Sequence, residues 1–232
     1  MREIVLDTET TGLDPAKGDR LVEIGAVEIV DRIATGRTYH VLINPERDVP
    51  VEAERVHGHS TASLKDKPVF ALVVEEFLDF IGDDPLVIHN AEFDTRFLNA
   101  ELAMLGHPPL APERIVDTLA IARKKHPGAA NSLDALCDRY RIDRSRRIKH
   151  GALLDSEILV EVYCELMGGR QRTLGLASEI AVAAETARRS GPCGARSAPL
   201  PERLDAAATS AHRAHLETFG APAIWMKYLP MA

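Results

Sequence analysis

Apolar positions in the first 45 residues recur in short alternating or near-continuous runs, the pattern of β-strands. "REIVLDT" (2–8), "LVEIGAVEIV" (21–30) and "RTYHVLIN" (37–44) read as three strands. A polar loop with Gly12, Pro15 and Gly18 separates the first two, and Pro45 stops the third. The spacing then lengthens to that of helices. "VFALVVEEFLDFIGDD" (69–84) is a helix closed near Gly82, and "PLVIHN" (85–90) is a nearly all-apolar run suited to a buried parallel strand. "FDTRFLNAELAMLG" (93–106), "NSLDALCDRY" (131–140) and "GALLDSEILVEVYCELMGG" (151–169) read as three more helices, the second capped by Asn131 or Ser132. Strands followed by alternating helices and a strand predict an α/β domain with a mixed sheet.

The character changes after Gly169. "RRSGPCGARSAPLPERL" (188–204) is rich in Gly, Pro, Ser and Arg and reads as a flexible linker. "DAAATSAHRAHLETFGAPAIWMKYLP" (205–230) regains helical spacing and holds the single tryptophan, Trp225. The expected organisation is a domain over 1–169, a tail beginning over 170–187, a linker over 188–204 and an anchoring segment over 205–232.

Composition narrows the class. Apolar residues make up 45% of 232, enough for a sizeable core. With 28 basic against 35 acidic residues the net charge is −7, which excludes tight nucleic-acid binding by charge alone. Cys137, Cys164 and Cys193 are odd in number and form no C-x-x-C pair, which points to a reducing compartment. "MREIVLD" lacks a signal-peptide pattern and no run is long and apolar enough to span a bilayer, so a cytoplasmic protein without membrane contact is expected.

One run departs from the pattern of a buried strand. In "IVLDTETTGL" (4–13), Asp7 and Glu9 stand two apart and therefore on one face. Two like charges there repel and lose hydration, at a cost of several kcal/mol by order of magnitude. A divalent cation such as Mg²⁺ or Mn²⁺ is the natural partner for hard oxygen ligands. Taken alone, the pair equally describes a strand end that faces water. Asp94 follows the strand "PLVIHN" at a helix start, where α/β folds place their sites but where a helix dipole also favours an acid. His150 precedes Asp155 by five residues, with Asp155 about one turn into a helix. Each signal is modest, and their combination in this order is specific.

Asp7 and Glu9 as D-x-E, Asp94 in "HNAEFD", and His150 with Asp155 as H-x-x-x-x-D resemble the motifs of the DEDDh branch of the DnaQ-like 3′–5′ exonucleases. The likeness covers residues 3–168 and includes "VHGHSTASLKDKPVF", "NSLDALCDRY" and "HGALLDSEILVEVY". It implies an RNase H-like mixed five-stranded sheet flanked by helices. It further implies two divalent ions, Mg²⁺ or Mn²⁺. One would be held by Asp7, Glu9 and Asp155; the other would be bridged by Asp7, with Asp94 acting through its solvent shell. His150 is implied as the general base. Implied contacts to the terminal nucleotide fall on Thr8, Thr10, Leu13, Glu52, Val56, His57 and Phe93. His57 equally suits an exposed loop, and Phe93 a core position. The basic run Arg139, Arg141, Arg144, Arg146, Arg147 and Lys149 is expected beside DNA or on a solvated loop.

The tail resembles that of the proofreading members of this branch, whose substrate is the single-stranded 3′ end of DNA. Gln171, Leu174 and Leu176 form Q-x-x-L-x-L, a degenerate likeness of the short motif with which bacterial proteins bind the sliding clamp. The last segment, with Trp225, resembles the anchor to the polymerase III alpha subunit. The expected function is removal of mismatched nucleotides from a primer 3′ end. The alternatives are an RNA-trimming exonuclease with the same five residues, a catalytically silent polymerase adaptor and a generic metal-dependent phosphohydrolase.

Overall fold

The computed structural model describes residues 1–145, 147, 149–169 and 205–218. The chain divides into two units, 1–173 and 174–232. In the first, β1 (Arg2–Thr10), β2 (Leu21–Val30) and β3 (Ile33–Leu42) form an antiparallel meander. Strands β4 (Leu86–Ile88) and β5 (Ile115–Asp117) add in parallel on the far side of β1, giving the order β3-β2-β1-β4-β5. The helices are α1 (Val51–His57), α2 (Thr61–Leu64), α3 (Phe70–Ile81), α4 (Ala91–Met104), α5 (Thr118–Lys125), α6 (Leu133–Tyr140) and α7 (Ala152–Leu166). In the second unit α8 (Ala206–Glu217) is N-capped by Asp205, whose side chain accepts from the Ala208 N–H at 2.7 Å.

Strand alternation sorts the core onto two faces of the sheet. Ile4 and Leu6 of β1 pack with Phe77 of α3 and Phe97 and Leu98 of α4. Val5 points the other way and packs with Val27, Val87, Leu136 of α6 and Ile158, Leu159 and Val162 of α7. Each of these fully buried side chains contributes about 1.5–3 kcal/mol by leaving water. Asp7 and Glu9 share the parity of Val5 and so belong to the α7 face.

The fold is the mixed five-stranded sheet with flanking helices that the resemblance implied. Its details differ from the reading of periodicity. β1 runs on to Thr10, still paired with β2 across a register shift between Glu9 and Thr10. β3 starts four residues earlier than expected, at Ile33. Its hairpin with β2 turns at Asp31 and Arg32, both in the left-handed region (φ 50 and 67), as a two-residue primed turn requires. α1, α2 and β5 were not legible as elements, since each is short, nor was α5, whose last turn is basic rather than periodic in apolar residues. Ser132 rather than Asn131 is the cap of α6, accepting from the Ala135 N–H. The expected linker 188–204, the motif residues Gln171, Leu174 and Leu176, and Trp225 lie outside the described residues.

Candidate active site

Glycine at position 25 explains how a helix carboxylate reaches the strand pair. Asp7 lies opposite Gly25 on β2, and Glu9 opposite Glu23. A Cβ on Gly25 would stand 2.1 Å from the Leu153 backbone nitrogen and 2.2 Å from the Ala152 carbonyl carbon. The first turn of α7 therefore rests directly on the β2 backbone. The Ser156 hydroxyl pins it there, donating to the Gly25 carbonyl at 2.9 Å. This contact carries Asp155, 3% exposed, to the acids of β1. Glu9, Asp155 and His150 each offer a ligand atom within 4.8 Å of the others.

Asp94 arrives from the opposite face. Asn90, in the left-handed region at φ 64, turns the chain from β4 into α4, which places Asp94 in its first turn. Thr8 lies between the two strand acids in sequence and points to the other face. Its backbone N–H and hydroxyl donate to Asp94 Oδ1 at 3.1 and 2.7 Å. β1 thus presents two acids itself and grips a third through Thr8.

Crowding shows in the proton affinities. Burial, then the charges of Asp94, Glu9 and Asp155, push Asp7 well above the usual carboxylate range. Burial and the neighbouring Glu23 push Glu9 up to about 8. Burial lifts Asp94 to about 7 against the hydrogen bonds from Thr8. Glu23 behaves oppositely. Burial acts to raise it, but His59 and His40, at 2.9 and 2.8 Å from its two oxygens, outweigh burial and hold it below its usual value. Several buried carboxylates and an imidazole converging on one point form a set of hard donors that fits divalent cations. Their mutual repulsion is what bound cations relieve.

One protein cation already reaches this set. Arg147, in the loop between α6 and α7, spans Asp155 with both arms of its guanidinium, Nε to Oδ1 and Nη2 to Oδ2, the latter at 2.7 Å. Nη2 also donates to His150 Nδ1 at 2.9 Å, and Nη1 to Asp134 of α6 at 2.7 Å. His150 is otherwise open to solvent at 48% side-chain exposure, and its backbone N–H donates to the Val56 carbonyl at the end of α1.

The remaining expected residues fall into two groups. Leu13 and Val56 are exposed at 77% and 47%, and Glu52 is also exposed. Thr8 and Thr10 are buried, the Thr10 hydroxyl donating to the Gly12 carbonyl. His57 is buried rather than on an exposed loop. Its Nδ1 accepts from the His59 N–H, and its Nε2 has no hydrogen bond of normal geometry among the described residues. Burial and the neighbouring His59 lower its pKa to about 4, so the ring is neutral. Phe93 is half-buried and packs on Phe97 with centroids 5.1 Å apart, which makes it partly core. Within the basic run only Arg147 turns inward among the described residues: Arg139, Arg141 and Lys149 are exposed, Arg144 pairs with Asp134 and Asp138 at the surface, and Arg139 donates to Asn131 and to the Ala130 carbonyl. Gly25, Glu23 and the inward turn of Arg147 escaped the reading of the sequence. A glycine inside a strand is the one signal that pointed to close backbone approach.

A mixed sheet whose central strand carries two buried acids, completed by acids from two helices and a solvent-facing histidine, defines a metal-dependent nuclease of the RNase H-like class. The family described as Exonuclease (RNase_T) matches residues 4–163. Curated relatives include the DNA polymerase III subunit epsilon of Rickettsia conorii, 53% identical over 78% of this chain and 80% of that one. The protein of the same name in Escherichia coli (strain K12) is 49% identical over 77% of this chain and 76% of its own. Among solved structures, exonuclease X in complex with 5′ overhanging duplex DNA is 26% identical. It superposes with a TM-score of 0.59 over 77% of this chain and 98% of its own. The chain belongs to this exonuclease family and, within it, to the group of the DNA polymerase III epsilon subunits.

Proposed function

We propose that the chain is the proofreading 3′–5′ exonuclease of a replicative DNA polymerase, removing mismatched nucleotides from the primer end by hydrolysis of the terminal phosphodiester. The observation that carries this reading is the grouping of Glu9, Asp155 and His150 within 4.8 Å, with the charges of Asp94, Glu9 and Asp155 felt at Asp7 and Asp94 held by Thr8, on an exonuclease fold. Asp7, Glu9 and Asp155 would hold one divalent ion, Mg²⁺ or Mn²⁺, and Asp7 with Asp94 a second. Bound there, such ions supply charge stabilisation to the attacking and leaving oxygens of an in-line displacement.

The chain's own residues do the rest. His150 faces solvent, and with Nδ1 released from Arg147 its imidazole can take the proton of the attacking water. Thr8 keeps Asp94 oriented through two hydrogen bonds. The exposed Leu13 and Val56 and the half-buried Phe93 are the apolar side chains that would meet the terminal nucleotide. The Nε2 of His57, without a hydrogen bond of normal geometry among the described residues, supports a contact to the terminal nucleotide, and Glu52 and Thr10 lie on the same two segments.

Likeness to polymerase III subunits supports a polymerase partner. The finer assignments are the anchor through residues 205–232 with Trp225 to the alpha subunit, a sliding-clamp contact at Gln171, Leu174 and Leu176, the domain limits at 169, 187 and 204, and residence in the cytoplasm. Among the described residues no helix is long and apolar enough to cross a membrane. The test is digestion of labelled primers with paired and mismatched 3′ ends, beside matched RNA, and gel filtration with a replicative polymerase subunit. Preferential removal of mismatched DNA ends and co-elution are expected. Preference for RNA, or no co-elution, would replace proofreading with RNA trimming or with a free-standing nuclease.

A further inference from the structure

The loop between α6 and α7 carries three groups that bear on the site: Arg147, Lys149 and His150. Lys149 lies against α1, its side chain where a Cβ on Gly58 would stand. Arg147 instead turns into the carboxylate cluster, its side chain only 9% exposed. Its position is built. The Asp134 carboxylate on α6 holds Nη1 at 2.7 Å, which fixes the plane of the guanidinium. The other arms then meet both oxygens of Asp155 in the forked geometry that arginine and carboxylate share.

Two functions are occupied by this one side chain. A carboxylate whose two oxygens both accept from a guanidinium has fewer lone pairs left for a metal ion. A neutral imidazole has one nitrogen lone pair, and here Nη2 of Arg147 donates to Nδ1, so that lone pair is taken and the ring proton sits on Nε2. While Arg147 stays in place, Asp155 is committed and His150 has no nitrogen free to accept a proton.

We propose that Arg147 is a built-in counter-cation and latch: it competes with divalent ions for Asp155, and its displacement onto Asp134 alone both opens the metal site and frees Nδ1 of His150. The inference rests on the reading of Asp7, Glu9 and Asp155 as metal ligands. It adds that the site is held closed by its own chain, so that metal occupancy and the availability of the base are coupled. The cluster is thereby partly neutralised without an ion, and His150 is kept from acting before the metal is seated.

The full chain, stripped of metal and dialysed, is titrated with Mn²⁺ alone at mildly alkaline pH, as wild type, Arg147→Ala and Arg147→Lys. Loss of charge-assisted bonds of this kind should tighten Mn²⁺ binding roughly tenfold in Arg147→Ala. Arg147→Lys keeps the charge and loses the fork, so it should fall between the two. In wild type, the NMR signal of the Arg147 Nε–H and the Nδ1 shift of His150 should both move as Mg²⁺ saturates the site, an observation that needs no variant to fold. Equal or weaker Mn²⁺ binding in a folded Arg147→Ala, or an Arg147 signal unmoved at saturating Mg²⁺, overturns the latch. Absence of Mn²⁺ binding in wild type would instead overturn the ligand reading, and the latch with it.

Discussion

Asp7 and Glu9 place two like charges where an apolar strand would be most stable, and the behaviour of single residues follows from that conflict. Without an ion, Glu9 titrates at about 8 against an ordinary 4.5, so the folded chain binds a proton that the unfolded chain has released between those values. The side chain's contribution to stability is therefore full below about pH 4.5 and is lost as pH rises through about 8, at about 1.4 kcal/mol per unit. The melting temperature of the metal-stripped protein should fall across this window, and Glu9→Gln should flatten the decline. A decline of equal slope in Glu9→Gln would assign it to other groups. Asp7→Ala with Glu9→Ala should abolish hydrolysis of a 3′-labelled oligonucleotide while leaving the metal-stripped melting temperature unchanged or higher, because buried repulsion is removed. His150→Ala should lower turnover by roughly two to four orders of magnitude with Mn²⁺ binding largely kept. The low-pH limb of its rate profile should flatten, and an unaltered limb would move the base elsewhere.

At the scale of elements, the active site is a consequence of how closely α7 lies on β2. The approach requires the bare backbone of Gly25, with Leu153 nitrogen 2.1 Å from where a Cβ would stand. Gly25→Ala must push the first turn of α7 off the sheet and carry Asp155 away from Glu9. Overpacking of this kind costs about 1–3 kcal/mol, and here it should cost activity out of proportion to stability. Urea denaturation and the nuclease assay on one preparation distinguish the two: a folded Gly25→Ala with wild-type turnover would mean that the placement of Asp155 tolerates the shift. Thr8 plays the parallel part between β1 and α4, since its two hydrogen bonds fix the depth at which Asp94 sits.

At the scale of the molecule, the exonuclease unit, 1–173, holds the apolar clusters that pack on the sheet and all five candidate site residues. A tail that tethers a nuclease should be dispensable for chemistry and required for partnership, because a flexible link raises the local concentration to roughly millimolar without new contacts. A chain ending at Gly169 should hydrolyse single-stranded DNA at near the full rate and fail to co-elute with the polymerase subunit. Trp225→Ala should weaken that association and leave hydrolysis intact, as aromatic anchors do at interfaces. Co-elution of the shortened chain would end the tether, and loss of its fold would mean that the tail packs back on the domain.

Along the chain alone, what could be read was set by local rules. Period-two alternation put Asp7 and Glu9 on one face, apolar runs gave three strands of the meander and the short β4, and helical spacing gave α3, α4, α6 and α7. Motif likeness, which needs only order and residue type, supplied the five candidate positions and the family. β5, α1 and α2 stayed hidden because each is short and stands outside any longer apolar run, and α5 because its last turn is Arg123, Lys124 and Lys125, which leaves no apolar period. The burial of His57, the grip of Thr8 on Asp94 and the inward turn of Arg147 are contacts between residues 86, 8 or 13 positions apart, or set by such packing. No sequence pattern encodes them: which partner a polar side chain finds, and whether a charge faces water or a carboxylate, is decided only by tertiary packing, as when α4 sets Asp94 against Thr8 and α7 comes down on Gly25.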